Sequence, residues 1–210
     1  MYINVAPTKA NLLKAKSFLE FSQKGFELLD KKRNVLIREM MGLMNKAKDV
    51  QNRISITFEE AYKALQVVNV SMGVNNVEEI AISIPTVEEF EILLTSVMGV
   101  EIPTVKYEKK DLETYYGFFR TNPALDIAVT KFREVKYLMY ELAEIENSVY
   151  KLAMEIKKTQ KRANALEKIQ IPRYQEQVKF IEEVLEEKER EDFFRLKLVK
   201  QRKERSVKGS

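Results

Sequence analysis

Apolar residues recur at alternating spacings of three and four along two separate stretches of this chain, and that pattern leaves few folds open. The first stretch carries Phe26, Leu29, Leu36, Met40, Leu43, Ala47, Val50 and Ile54, then Phe58, Ala61, Leu65 and Val68. Arg33 interrupts it. The step Val50–Ile54–Phe58 is four plus four, which reads as a stutter that unwinds a supercoil locally. The second stretch carries Val135, Leu138, Leu142, Ile145, Val149, Leu152, Ile156, Thr159, Ala163 and Leu166, then Tyr174, Val178, Ile181 and Leu185. A single helix cannot bury such a stripe alone, so the two stretches are expected to pair antiparallel.

The ends of the stretches carry helix signals. Thr8 is an expected N-cap, its hydroxyl accepting from an orphan amide of the first turn. Asn122-Pro123 predicts the second start, because proline at the first helical position loses only an amide hydrogen that would be unpaired anyway. Pro172 removes a backbone hydrogen bond and predicts a kink nearby. The expected fold class is therefore mainly α, a long antiparallel two-helix coiled coil. Its parts are a first helix over 1–70, a head over 71–121 and a second helix over 122–210, kinked near 172. At 1.5 Å per residue the first helix would run about 90 Å, and the second about twenty residues further.

Gly73, Asn75 and Asn76 break the first helix. In the head, Ile80, Ile82 and Ile84 alternate with small or polar residues, predicting a strand that Pro85 ends. Val100–Tyr107 is a second strand candidate, with Pro103 favouring an edge. Glu88–Met98 fits helix or strand. Tyr107, Tyr115, Tyr116, Phe118 and Phe119 cluster before the second helix. A small head containing a β-hairpin is expected to cap the pair.

If Val68 lies near Leu125, then Thr8 lies near Leu185, and the chain from about Glu186 projects past its partner. This overhang is acidic up to Asp192. Beyond it, Phe193, Phe194, Leu196, Leu198 and Val199 stand among Arg195, Lys197, Lys200, Arg202, Lys203 and Arg205. A lone helix with exposed Phe and Leu is expected to dock in another protein.

Composition narrows the chemistry. There is no Cys and no His among 210 residues, which removes thiol nucleophiles, disulfides and the commonest metal ligand. No phosphate-binding glycine loop is present, and a Ser–His pair is impossible. Neither catalysis, cofactor nor metal is expected. The carboxylates Glu186, Glu187, Glu189, Glu191 and Asp192 read as a solvated face with i,i+4 pairs to Arg190 and Arg195 rather than an ion site; Glu78 and Glu79, and Glu88, Glu89 and Glu91, read likewise. Lys and Arg total 36 against 32 Asp and Glu, a net +4. In the overhang the acidic residues almost balance the bases, and with no recognition motif that argues against nucleic acid. Asn69-Val70-Ser71 is a glycosylation sequon, silent without secretion. Met40, Met41 and Met44 are expected to fill the core. The opening lacks the apolar core of a signal peptide, and no run approaches the roughly 18 apolar residues of a membrane span. A soluble cytoplasmic chain is expected.

Lys161-Arg162-Ala163-Asn164-Ala165-Leu166-Glu167 followed by Ile171-Pro172-Arg173 resembles the R-R-V-N-A-L-E…I-P-R signature of the rotary ATPase D-subunit family. The run Leu185-Glu186-Glu187-Lys188-Glu189-Arg190-Glu191-Asp192-Phe193-Phe194-Arg195-Leu196-Lys197 is similar to that family's L-E-E-x-E-R-E-x-F-x-R-L-K tail. Pro7-Thr8 and Lys24-Gly25-Phe26-Glu27-Leu28-Leu29-Asp30-Lys31-Lys32 resemble its P-T and K-G-H-x-L-L-K-x-K elements, with Phe26 where His is usual and Asp30 where Lys is frequent. Met98-Gly99-Val100-Glu101-Ile102-Pro103 resembles part of its head.

The resemblance implies the central rotor stalk of a V-type or A-type ATPase. Both chain ends would enter the catalytic hexamer, where Lys161, Arg162, Asn164, Arg173, Arg190, Phe193, Phe194, Arg195, Lys197, Lys200 and Arg202 are the candidate contacts with its catalytic and regulatory subunits. The head would meet the small stalk F-subunit and the membrane-ring adaptor subunit through Tyr107, Tyr115, Tyr116, Phe118 and Phe119. The complex would be peripheral to a membrane, coupling ATP hydrolysis or synthesis to ion movement. Two other readings fit a helical hairpin. One is a factor that probes an RNA polymerase channel with acidic residues at its turn end; the other is a generic coiled-coil adaptor.

Overall fold

The computed structural model describes residues 5–84, 90–108, 116–117, 119 and 121–208, the side chains of 204–208 excepted. It is mainly helical: α1 (Lys9–Met72), α2 (Val74–Ser83), β1 (Phe90–Val97), β2 (Val100–Tyr107), α3 (Pro123–Ala165), a π-helical turn (Leu166–Gln170) and α4 (Ile171–Lys208). Both predicted caps form. The Asn11 amide donates to Thr8 Oγ1 at 3.2 Å, and the Ala124 amide donates to Asn122 Oδ1 at 3.3 Å. The chain divides into two compact units: one up to Arg33 together with the residues from Lys158, the other Asn34–Lys157.

In the 34–157 unit, α1 and α3 run antiparallel. Lys131 meets Glu60 at 2.7 Å and Arg53 meets Glu141 at 3.8 Å, so one helix descends as the other rises. Val68 packs with Leu125 and Ala128 as the stripes require. The stutter does not occur. Thr57 is buried and Phe58 only half-buried, so the three-four alternation continues through Val50, Ile54, Thr57 and Ala61. Threonine tolerates the position because its hydroxyl donates to the Arg53 carbonyl at 2.9 Å. Ser148, buried, takes the place expected for its neighbour Val149. Met40 packs against the core, whereas Met41 and Met44 are exposed and fill nothing.

Residues 80–84 do not form the predicted strand. Val74–Ser83 is the helix α2, and Val77 and Ile80, three apart, pack on Val68, Leu125 and Ala128 while Ile82 is exposed. Three isoleucines at alternate positions suit a strand locally, but a single apolar neighbour selects the spacing of three. Pro85 lies outside the described residues. The ambiguous 90–97 stretch is strand β1, paired antiparallel with β2 in the register Phe90↔Tyr107 to Val97↔Val100. Met98 and Gly99 turn it with positive φ of 51° and 78°, both in the left-handed region that two-residue hairpin loops need.

The β-hairpin also does more than cap. Val100 and Ile102 pack with Leu36, Leu152, Met40 and Ile156, far along the helices from the Val68–Leu125 cluster. The Val105 amide donates to Glu144 Oε2 at 2.8 Å. Tyr107 stacks on Tyr137 at 5.1 Å between ring centres, and Phe90 lies 5.7 Å from Tyr140. The ribbon therefore lies along α3 and gives this stretch of coil a third layer.

In the other unit, α1 and the returning helix are also antiparallel: Lys16 meets Glu182 at 2.6 Å and Lys9 meets Glu189 at 3.1 Å. Its seam is made of small side chains, Ala15, Ser22, Thr159 and Ala163, with Ile181 as the large buried residue. Just before Pro172 the helix widens into the π-turn, in which the Ile171 amide reaches back five residues to the Leu166 carbonyl.

Candidate docking surfaces

From Glu186 to Lys203 every residue of α4 is exposed. Lys9, the first residue of α1, has already met Glu189, so no further α1 helix is available to cover the residues beyond. Phe193 is 68 % and Leu196 68 % exposed, and Phe194, Leu198 and Val199 are similarly bare. At about 100° per residue, Phe193, Leu196 and Val199 project to one side and Phe194 and Leu198 to the opposite one. Arg195, Lys197 and Arg202 fall in the gaps between the two sides. No acidic residue occurs between Asp192 and Glu204. An amphipathic helix that lies in a groove shows one apolar face. This one shows two, with cations between, which suits a partner that surrounds it.

The ion pairs here are local. Arg190 reaches Glu186 and Glu187, each at 3.5 Å, and Arg195 reaches Glu191 at 3.6 Å and Asp192 at 3.8 Å. Exposed pairs of this kind contribute about 0–1 kcal/mol each. They are cheap to exchange for a partner's carboxylates. Lys197, Lys200 and Arg202 are exposed on the same stretch.

The residues around the π-turn behave differently. Lys161, Arg162 and Arg173 are exposed or half-exposed. Asn164 is half-buried and works inside the chain: its Oδ1 accepts from Gln160 Nε2 at 2.7 Å, while Gln160 Oε1 accepts from Arg33 at 2.6 Å. Arg33 also pairs with Asp30. The arginine that interrupts the stripe is thus carried at a seam position by a polar network spanning both helices. Asp30, one of the two departures from the resembled pattern, is part of that network.

At the turn end of the 34–157 unit, Tyr107 belongs to the aromatic stack on α3 and Tyr116 donates to Asp126 Oδ1 at 2.5 Å. Burial, then the hydrogen bond to Asp126, push the Tyr116 hydroxyl up to about 12. Burial and the Glu141 carboxylate raise Tyr107. Phe119 is 87 % exposed and lines an open cavity of about 310 Å³ with Asn76, Glu79, Ile80, Ser83 and Tyr116. Tyr115 and Phe118 lie outside the described residues.

Sequence reasoning missed a second apolar surface. Leu13, Phe21 and Leu28 on α1 are 69 %, 75 % and 66 % exposed, and they share one outer side of the helix at spacings of eight and seven. Their signal was their failure to join the seam pattern. Among the described residues no helix is long and apolar enough to cross a membrane.

Comparison with known proteins bears on nearly the whole chain. The family model describing the D subunit of ATP synthase matches residues 11–201. The V-type ATP synthase D subunit of Thermotoga neapolitana is 46 % identical over 200 residues, covering 95 % of this chain and 98 % of the relative. The A-type ATP synthase D subunit of Pyrococcus furiosus is 39 % identical over 201 residues, 94 % of each. That of Thermococcus sibiricus is 37 % identical over 210 residues, 99 % of this chain and 98 % of the relative.

Proposed function

This chain belongs to the ATP synthase D-subunit family, and from that premise we propose that it is the central axle of a V/A-type rotary ATPase, carrying torque between the catalytic hexamer and the membrane ion-translocating ring. It performs no chemistry of its own. The observation that carries this reading is the uncovered end of α4. Apolar residues on two opposite sides, with Arg195, Lys197 and Arg202 between them, suit a helix tip seated inside a ring of subunits. Weak exposed ion pairs let such a tip move from one station to the next without a deep trap.

The catalytic and regulatory subunits of the hexamer are then the partners of Arg190, Phe193, Phe194, Arg195, Lys197, Lys200 and Arg202, with Lys161, Arg162 and Arg173 further along. The outer stripe of Leu13, Phe21 and Leu28 belongs to the same surface. Asn164 contributes indirectly, by holding the seam. The small stalk subunit and the ring adaptor meet the other unit, where Phe119 and its cavity are the accessible feature. Tyr107 and Tyr116 serve that surface by bracing it.

The test is copurification with the catalytic hexamer at low and moderate salt. One copy per hexamer is expected, and deletion of residues 190–210 should abolish it. A truncated chain that still assembles and couples hydrolysis to ion movement would overturn the axle reading.

A further inference from the structure

We propose that the π-turn Leu166–Gln170 is a one-residue phase corrector, forced by an extra residue in the returning helix rather than by Pro172, and that it keeps Tyr174, Val178, Ile181 and Leu185 on the side that faces α1. Leu166 lies over Gly25, 3.6 Å from where a Cβ on that glycine would stand. Tyr174 stacks on Phe18 at 5.7 Å. Along α1 the buried Ala15, Ser22 and Leu36 keep whole heptads, whereas on the returning helix the buried Thr159 and Ile181 stand 22 residues apart, one more than three heptads.

Seven residues are one heptad and restore the seam; an eighth rotates the helix by about 100°. Without correction, Arg173, Gln177 and Phe180 would face α1. Instead Ile181 is fully buried, Arg173 keeps solvent access and Phe180 is 39 % exposed. The five-residue hydrogen bond from the Ile171 amide to the Leu166 carbonyl takes up the surplus.

The surplus cannot be passed up the helix. Arg33, held to Gln160 at 2.6 Å and to Asp30, with Gln160 bonded to Asn164, pins the register just above. A polar group at one seam position is a known register lock. Below, the apolar set Tyr174, Val178, Ile181 and Leu185 demands its own phase. The mismatch collects between Asn164 and Tyr174, where the π-turn is.

The chain contains no Cys, so an engineered pair is unique. Lys16→Cys with Glu182→Cys, at the site of a 2.6 Å ion pair, reports the phase through a short thiol crosslinker in the full chain. The crosslink is expected to persist when Pro172→Ala is added, because the extra residue remains. In that proline-free background, deleting exposed Lys168 should leave the crosslink intact and Tm unchanged or higher. Deleting exposed Lys151 instead should lower Tm by about 8 °C or more, since it throws seam residues out of phase. Loss of the crosslink in Pro172→Ala, or a fall for the Lys168 deletion as large as for Lys151, would overturn the proposal. All readouts use the chain alone, so they stand or fall separately from the axle reading.

Discussion

The two units solve the same problem, a coiled-coil seam, with different materials. In the 34–157 unit, Leu36 and Leu152 are almost fully buried, and Val100 of the β-hairpin closes over them. A Tyr–Tyr stack and the Phe90–Tyr140 contact clamp the ribbon to α3, each such pair adding about 0.5–1.5 kcal/mol beyond burial. The unit from Lys158, with α1 up to Arg33, has a seam of alanine, serine and threonine, one charged interruption and, among the described residues, no third layer. Beside the buried Ile181 and the half-buried Tyr174, Val178 and Leu185, several of its large apolar groups, Phe21, Leu28, Phe193 and Phe194 among them, face outward. A thin seam can be tolerated where a partner supplies the remaining burial, whereas the layered unit must hold itself together. The contrast separates a unit closed by its own ribbon from one whose apolar side chains stay exposed.

Leu152→Ala should show the contrast most strongly. It empties a site bounded by two helices and a strand that cannot collapse easily, so about 2–5 kcal/mol should be lost in denaturant unfolding. Ile181→Ala removes an equally buried side chain from the two-helix unit. There the helices can close in, and about 2 kcal/mol is expected, the lower end of the range. Equal losses for the two variants would mean that the hairpin adds no constraint.

A third test uses pH. Tyr116 titrates at about 12, above its ordinary 10.0. The folded chain keeps a proton that the unfolded chain releases, so this contribution is complete below pH 10 and disappears as pH rises through about 12. Thermal unfolding across that window should show an alkaline loss that Tyr116→Phe diminishes.

Smaller still is Arg33→Leu. Removing a desolvated charge from the seam should leave stability unchanged or raise it by up to about 1 kcal/mol, measured as the denaturation midpoint. A loss of several kcal/mol would show the network to be a net stabiliser rather than a register device. Smallest is Phe193→Ser with Phe194→Ser. Unfolding of the isolated chain should change by less than about 0.5 kcal/mol, because both rings are already in water. Affinity for the catalytic hexamer should fall about tenfold or more.

Legibility followed the length of the repeating signal. The two stripes, both N-caps, the Val68–Leu125 pairing and the bare end of α4 were all readable, because each rests on local spacing repeated over many turns. Thr57, Ser22 and Ser148 were not, since nothing in the apolar spacing marks a small polar residue for a seam; Ser22 and Thr57 are tolerated there because their hydroxyls donate to carbonyls of their own helix, Phe18 at 2.7 Å and Arg53 at 2.9 Å. The α2 helix was misread as a strand because three isoleucines carry less information than one apolar neighbour. Of the candidate contacts, the exposed tail was visible in composition. The inward roles of Asn164, Tyr107 and Tyr116 were not, because they depend on groups 131, 30 and 10 residues away in the chain: Arg33, Tyr137 and Asp126.

By itself the amino-acid sequence determined that this chain would be helical, antiparallel in its pairing and uncovered at its last helix, since hydrophobic periodicity and capping act within a few residues. Only the tertiary structure decided that the β-hairpin would lie along α3 and that the extra residue between Thr159 and Ile181 would become a π-turn. Those outcomes depend on where the opposing helix places Leu36, Gly25 and Phe18, and a backbone conformation yields to distant packing wherever its own preference is the weaker term.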